Sequence, residues 1–450
     1  MSAWARDHAA CAPAALAFAA AKRGAWDEAA AIVGRLAQEA FGIEVAGVAV
    51  SRDGYSLNSV NGFLASTAGE EFFFKFHHEE GEERTLQELY QAELLLNAGY
   101  PVDMPVHASR EIGRQLLLYR RRRSPRFADL CRRLDSAARP LMAPALAAQA
   151  ALDDLTFAIY RRTLHVASVE EVGREPVHQL FHARLIDPGR PGRLGGRARR
   201  FFFARDFDLA GTIVPAERLR RLRWRINGIL YRDSLDTLLA QSLERLAPSR
   251  HARFGAVVAH GDAHNANVWW DERAEGPRLL LFDPAFAGAH VPALLAEVKA
   301  TFHNILAHPA WLYDAAEAAR LFQAAARVKD GTIEIETDWR LSPLRRGFLD
   351  GKATRLWRPL LLELQARALL REDWREALRS ALFCCPALVM DLAAGGAGGH
   401  NPVSSVIGLA VAVMAGSEPV DDGRDPVRNF FDSIDPASPP RGTADSEVRE

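Results

Sequence analysis

Val257-Val-Ala-His260-Gly261-Asp262-Ala263-His264-Asn265-Ala266-Asn267-Val268, followed after a turn by Leu279-Leu-Leu-Phe-Asp283, is the stretch on which the reading of this chain turns. Two apolar runs of β character carry at their ends a histidine, two aspartates and an asparagine, residue types that are costly to bury unpaired. Such clustering at strand ends marks a site rather than a core.

Phosphoryl transfer needs a carboxylate to accept the proton of the acceptor hydroxyl, and an amide and a second carboxylate to hold Mg²⁺ against the phosphates. Asp262, Asn267 and Asp283 supply those groups in that order. The spacing His-x-Asp, four residues, then Asn, with a further Asp on the next strand, resembles the catalytic loop of the aminoglycoside phosphotransferase and choline kinase group. That group's loop typically reads His-Gly-Asp-Leu-His-Pro-x-Asn, and here it reads His260-Gly261-Asp262-Ala263-His264-Asn265-Ala266-Asn267.

The resemblance implies Asp262 as catalytic base, Asn267 and Asp283 as Mg²⁺ ligands, His260 as a brace of the loop backbone, and ATP as phosphate donor. It also implies an α+β, two-lobed protein-kinase-like fold, with a small antiparallel β-sheet N-lobe bearing one helix and a large, mainly helical C-lobe. Two positions depart from the family pattern. Asp283 is followed by Pro284-Ala285-Phe286 where an aromatic usually comes at once, and Leu294-Leu295-Ala296 stands where Asp-Leu-Ala is common.

Other readings of the same residues stay open at this level. His260, Asp262 and His264 could bind a transition metal and make the protein a metal-dependent hydrolase, which leaves Lys75, Asn267 and Asp283 without roles. A nucleotide-binding module without phosphotransfer uses the same groups silently. The plainest alternative is a loop of turn and capping residues.

Working outward toward the N-terminus, residues 43–50, 60–67 and 71–76 read as strands, the last two joined at Ala68-Gly69. Lys75, among Phe72, Phe73, Phe74 and Phe76, puts a charge within an apolar strand. In the family this strand lysine holds the nucleotide phosphates and pairs with a glutamate of the next helix. That helix, Thr85 to Ala98, offers Glu93 on the face of Leu86, Leu89 and Leu96, with Glu88 in reserve. The loop Ser56 to Gly62, including Ser59 and Asn61, lies where kinases cover the phosphates. Gly99 ends the helix, and residues 115–119 read as the strand to the hinge, where family members hold adenine near Tyr119 and Arg120.

These readings divide the chain into an N-terminal helical extension (1–42, its helix capped by Asp27), an N-lobe that binds nucleotide (43–120), a C-lobe (121–416) and a disordered tail (417–450). Helical patterns run over 126–134, 144–164, 217–231 and 234–246, and after Asp283 over 291–307, 311–328, 343–370 and 374–382. Between them, 175–213 is rich in Arg, Gly and Phe, without sustained periodicity, and reads as an inserted lid or recognition loop. Lys299, His303 and Asn304 are polar positions in an apolar run, expected to face solvent unless they meet substrate. The tail offers only Phe430 and Phe431 for burial.

The 450 residues suffice for two or three domains, and 48% hydrophobic with 25% charged residues is an ordinary globular composition. With a net charge of -1, no global field selects nucleic acid or an anionic membrane. Four cysteines without Cys-x-x-Cys spacing suggest neither zinc nor a disulfide framework. The alanine-rich start lacks the basic flank of a secretion signal, and no apolar run reaches transmembrane length. A cytoplasmic kinase of a small-molecule acceptor is the expected function. Arg120 to Arg123 and Arg184, Arg190, Arg193, Arg197, Arg199, Arg200 and Arg205 suit an acceptor that carries an acidic group.

Overall fold

A computed structural model describes residues 13–51, 59–77, 82–109, 111, 113–136 and 141–438. The chain forms two compact units, Met1–Ser124 with Leu280–Ala285, and Pro125–Leu279 with Phe286–Glu450.

In the first unit, α1 (Pro13–Lys22) and α2 (Trp26–Phe41) precede strands β1 (Val45–Val50), β2 (Ser59–Ser66) and β3 (Glu71–His77). Helix α3 (Glu82–Ala98) follows, then β4 (His107–Ala108) and β5 (Leu117–Arg120). The strands pair antiparallel in the order β1-β2-β3-β5-β4, as their alternating apolar pattern predicts. Ala68-Gly69 makes the β2–β3 turn, Gly69 supplying a φ of 83°. Period-2 alternation sends Phe72 and Phe74 into one core, with Ile32, Val33 and Leu36 of α2 and Ala14 and Ala17 of α1. Phe73 packs on the other core, with Leu89 of α3, Leu117 and Tyr119.

Two expectations change here. The helices before residue 43 are not a separate extension, since Phe72 and Phe74 pack against them, while within 43–120 Glu82–Ala98 is the one helix among the described residues. Nor does Asp27 cap α2: Ala25 holds the cap position without a side-chain bond, and Asp27 lies in the first turn.

The second unit is largely helical, and several of its helices lie where the pattern puts them, including Phe127–Ser136, Met142–Thr163, Leu235–Arg245 and Trp374–Val389. Three stretches read as helical contain strands instead. Residues 217–231 hold a helix, Ala216–Arg221, and then a hairpin, Arg223–Ile226 with Ile229–Tyr231. It turns at Asn227 (φ 45°) and Gly228 (φ 83°), two successive positive φ values that suit the right-handed twist of a two-residue hairpin. Residues 311–328 likewise end in Ala324–Lys329, which returns across Asp330-Gly331 as Thr332–Thr337. The two hairpins join through a parallel pairing of Arg223–Ile226 with 332–335, a contact that no local pattern encodes. In the third, residues 291–307, the opening residues complete the strand Gly288–Pro292, antiparallel to Gly255–Ala259.

The expected loop at 175–213 is ordered structure. It contains the hairpin Ile186–Asp187 with Arg190–Leu194 and a helix, Gly196–Phe202, that buries Phe201 and Phe202. The expected disordered tail is also partly folded. Asp425 accepts from the backbone N–H of Val427 (2.7 Å) and Arg428 (2.9 Å) and starts the helix Pro426–Ile434. Phe430 and Phe431 are buried, and the guanidinium of Arg379 lies 4.4 Å and that of Arg375 5.1 Å from the Phe431 ring centre. Residues 439–450 lie outside the described set.

Truncating Phe431 leaves a cavity under two arginines, so Phe431→Ala should destabilise the protein by about 3–5 kcal/mol. Urea unfolding followed by circular dichroism checks this, and an unshifted midpoint would show that the terminal helix is not docked in solution.

Candidate active site

The loop after Gly255–Ala259 satisfies its own backbone. Gly261, at φ +76°, turns the chain where a Cβ would come within 2.5 Å of the Phe286 carbonyl oxygen, so only glycine fits without movement. The carbonyl of Asp262 then accepts from His264 N–H (2.8 Å) and from Asn267 Nδ2 (3.0 Å), and His264 C=O accepts from Asn267 N–H (2.7 Å). His264 Nδ1 caps the following turn by accepting from Ala266 N–H at 3.3 Å. His260, buried, turns its Nδ1 toward the Asp262 N–H at 3.4 Å, as a brace of the loop would.

A further layer holds this loop in place. Asn265 N–H donates to Asn304 Oδ1 (2.7 Å), and Asn304 C=O accepts from Arg345 Nη1 (2.6 Å). Arg345 is itself clamped by Asp135 at 2.7 Å. Asn304 is therefore buried and structural rather than solvent-facing, and Arg345 is a positioning residue that no local motif announced.

With the backbone provided for, the Asp262 side chain has no structural duty. Its Oδ1 is buried without a hydrogen-bond partner, and Oδ2 stands 3.7 Å from His264 Nε2. The His264 and His303 rings lie 5.7 Å apart, and His303 Nε2 is 2.7 Å from the ammonium of Lys299, while its Nδ1 meets the Tyr313 hydroxyl. Burial, and then the charge of Lys299, push the His303 imidazole well below its usual range. Burial likewise lowers Lys299, against the opposing pull of Asp262. The Tyr313 ring is exposed, but its hydroxyl, desolvated against His303 and facing the charge of Asp262, is pushed up and stays a neutral phenol. Lys299 and His303 are thus buried parts of the surroundings of Asp262. Their four-residue spacing in an apolar run was the one available signal, and Tyr313 gave none.

The other expected residues belong to the first unit. Lys75 Nζ lies 3.0 Å from Asp283 Oδ1. Asp283 occupies left-handed backbone at φ 54°, a conformation aspartate tolerates better than most residues. Its segment is tied in by Asp103 N–H to Leu281 C=O and Leu281 N–H to Pro101 C=O, both 2.7 Å. Asn61 of β2 faces Lys75 across the sheet, and Ser59 begins the same strand. Residues 56–58 of the expected phosphate loop lie outside the described set. Glu93 is half-buried on α3, which also carries Glu88. Tyr119 is buried on β5 beside Phe73, and the Arg120 side chain is exposed, 4.0 Å from Glu70.

Many of the arginines are committed. Arg121 and Arg123 pair with Glu71, Arg122 with Asp103, and Arg205 with Asp391. Among the described residues, no group of three His, Cys, Asp or Glu side chains could hold a metal ion, so His260, Asp262 and His264 do not converge as a transition-metal site. A cavity of about 520 Å³, lined by Ile226, Tyr231, Trp339 and Arg424 among others, includes none of the candidate residues. No described helix is long and apolar enough to cross a membrane.

No protein-family model and no curated protein matches the chain. Among solved structures, it is similar to the aminoglycoside phosphotransferase APH(2″)-IIIa bound to GDP and kanamycin, at 11% identity over 79% of this chain and 89% of the other, with a TM-score of 0.40. A Thermobifida fusca protein assigned as a fructosamine-3-kinase matches at 13% identity over 85% and 98%, with a TM-score of 0.37. The macrolide 2′-phosphotransferase MphH of Brachybacterium faecium matches at 15% identity over 79% and 97%, with a TM-score of 0.33.

Gly261→Ala should cost about 1–3 kcal/mol of stability through left-handed strain alone, with the Phe286 clash added. Thermal unfolding tests this, and a melting temperature equal to wild type would mean that the loop does not need the left-handed turn.

Proposed function

We propose that this chain is a small-molecule kinase that transfers the γ-phosphate of ATP, with Mg²⁺, to a hydroxyl of its acceptor. The observation that carries the reading is the state of Asp262, a carboxylate freed of backbone duty whose buried Oδ1 has no donor. An acceptor hydroxyl supplies the missing donor, and Asp262 takes its proton as the phosphate is transferred.

Asn267 and Asp283 are the residues that would hold the implied metal, each judged by its own donor atoms. Asn267 commits its Nδ2 to the Asp262 carbonyl, which leaves Oδ1 as its free ligand atom, and Asp283 adds a carboxylate. Both are hard oxygen donors of the kind Mg²⁺ prefers. Held by Asn267 and Asp283, Mg²⁺ would supply positive charge against the phosphates. Lys75, beside Asp283, is the residue that holds the nucleotide phosphates, with Ser59 and Asn61 on the strand leading from the covering loop. His260 holds the loop, and Tyr119 and Arg120 contribute backbone to the adenine side. Glu93 remains the proposed helix partner of Lys75.

Asp262→Asn should lower turnover by about two to four orders of magnitude while leaving nucleotide binding intact. The assay is a metabolite-library screen with Mg²⁺ and ATP, read by mass spectrometry as the gain of one phosphate. A turnover close to wild type in this variant rules out Asp262 as base. Asp283→Ala should abolish the Mg²⁺-dependent thermal stabilisation by ATP, because it removes an anionic ligand. Persistence of that stabilisation contradicts the metal role.

A further inference from the structure

The cavity of about 520 Å³ in the second unit is closed by segments far apart in the chain. Its apolar wall comes from the helix Pro402–Gly416, through Ile407, Val411 and Met414, with Leu349 of Pro343–Lys352 and Phe430 of the terminal helix. Small-molecule sites span roughly 300–1,000 Å³, and this volume lies within that range. The residues around Asp262 do not line it.

Several polar groups of the wall already have partners. The Tyr231 hydroxyl donates to Asp425 Oδ2 at 2.9 Å, and Asn227 Nδ2 donates to the Thr337 carbonyl at 3.0 Å. Arg424 reaches Asn429 Oδ1 at 3.3 Å and Asp432 at 3.5 Å. Of the two aspartates in the wall, Asp425 is occupied by Tyr231 and by the cap of the terminal helix, and Asp350 is exposed. Trp339, Arg340 and Arg346 differ. Trp339 is 7% exposed, and its Nε1–H is buried without an acceptor. Arg340 and Arg346 are exposed, and among the described residues neither has a carboxylate at ion-pair distance. Both also line a second cavity of about 470 Å³, so they stand at the boundary of two hollows.

A buried N–H without an acceptor is costly, and a ligand that brings an oxygen relieves it. Guanidinium groups recognise carboxylates through paired, charge-assisted hydrogen bonds. An apolar wall with a few such donors suits a molecule with an apolar body and one anionic end. We propose that this cavity is a binding site for an amphipathic organic acid. Its apolar body lies against Val411, Met414 and Phe430, and its carboxylate meets Arg340 and Arg346, with the Trp339 N–H as a further donor in the same wall. The site is separate from phosphoryl transfer and needs no nucleotide.

Decanoate is titrated into the full chain by calorimetry, against decyltrimethylammonium as a probe of similar chain length and opposite charge. Decanoate should bind saturably and at least about tenfold more tightly than the cation. Replacing both arginines, Arg340→Gln with Arg346→Gln, should weaken decanoate at least about tenfold. The melting temperature of that variant should hardly change, because both side chains are exposed. A decanoate analogue with a diazirine on its chain, crosslinked by light and mapped by peptide mass spectrometry, should label peptides from 402–416 and 426–434. Excess decanoate should suppress the label. Absence of saturable binding, equal affinity for the two probes, wild-type affinity in the double variant, or label confined to other peptides each overturns the site. None of these measurements involves turnover, so their failure leaves the assignment of Asp262 untouched.

Discussion

A polar loop set between two buried strands must satisfy its own backbone, and the chemistry of the second unit depends on how this one does so. The carbonyl of Asp262 accepts twice, from His264 N–H and Asn267 Nδ2, and the side chains of His264 and Asn304 take up two further N–H groups. The division of labour is what matters. Had the Asp262 carboxylate been the cap, its oxygens would be occupied by backbone donors. Because histidine and asparagine cap instead, the carboxylate is held by its backbone and its Oδ1 is left without a donor. The Asp135–Arg345 pair behind Asn304 extends that support two layers back from the loop.

Much of this was legible in the sequence, because the loop and the strands of the first unit are written locally. Alternation across Phe72 to Lys75 fixes which side chains face α2 and which face α3, and Asp283 closes a run of Leu residues where the spacing puts it. What failed depended on partners far along the chain. Residues 217–231 have apolar spacing that a helix would accept, but Asn227-Gly228 is a hairpin turn, and the strand before it pairs with residues 332–335. The turn chemistry was present and was outweighed by periodicity. Phe430 and Phe431 failed in another way, since two aromatic residues in a polar tail look dispensable until Arg375 and Arg379 are known to face the Phe431 ring.

Lys299 and His303 show the limit most clearly, because periodicity reports which positions are polar and not whether they are buried. Elsewhere in the same unit, buried cations are paired. Lys352 sits 2.8 Å from both Asp153 and Glu297, Arg345 lies against Asp135, and Arg379 reaches Glu418 at 2.7 Å. Such pairing recovers the desolvation that burial costs, so a cation left without it marks a place where stability has been given up. The loop itself is braced by Asn304 and Arg345 rather than by Lys299. Lys299, buried against His303 with no carboxylate at ion-pair distance among the described residues, is a place where that recovery is missing.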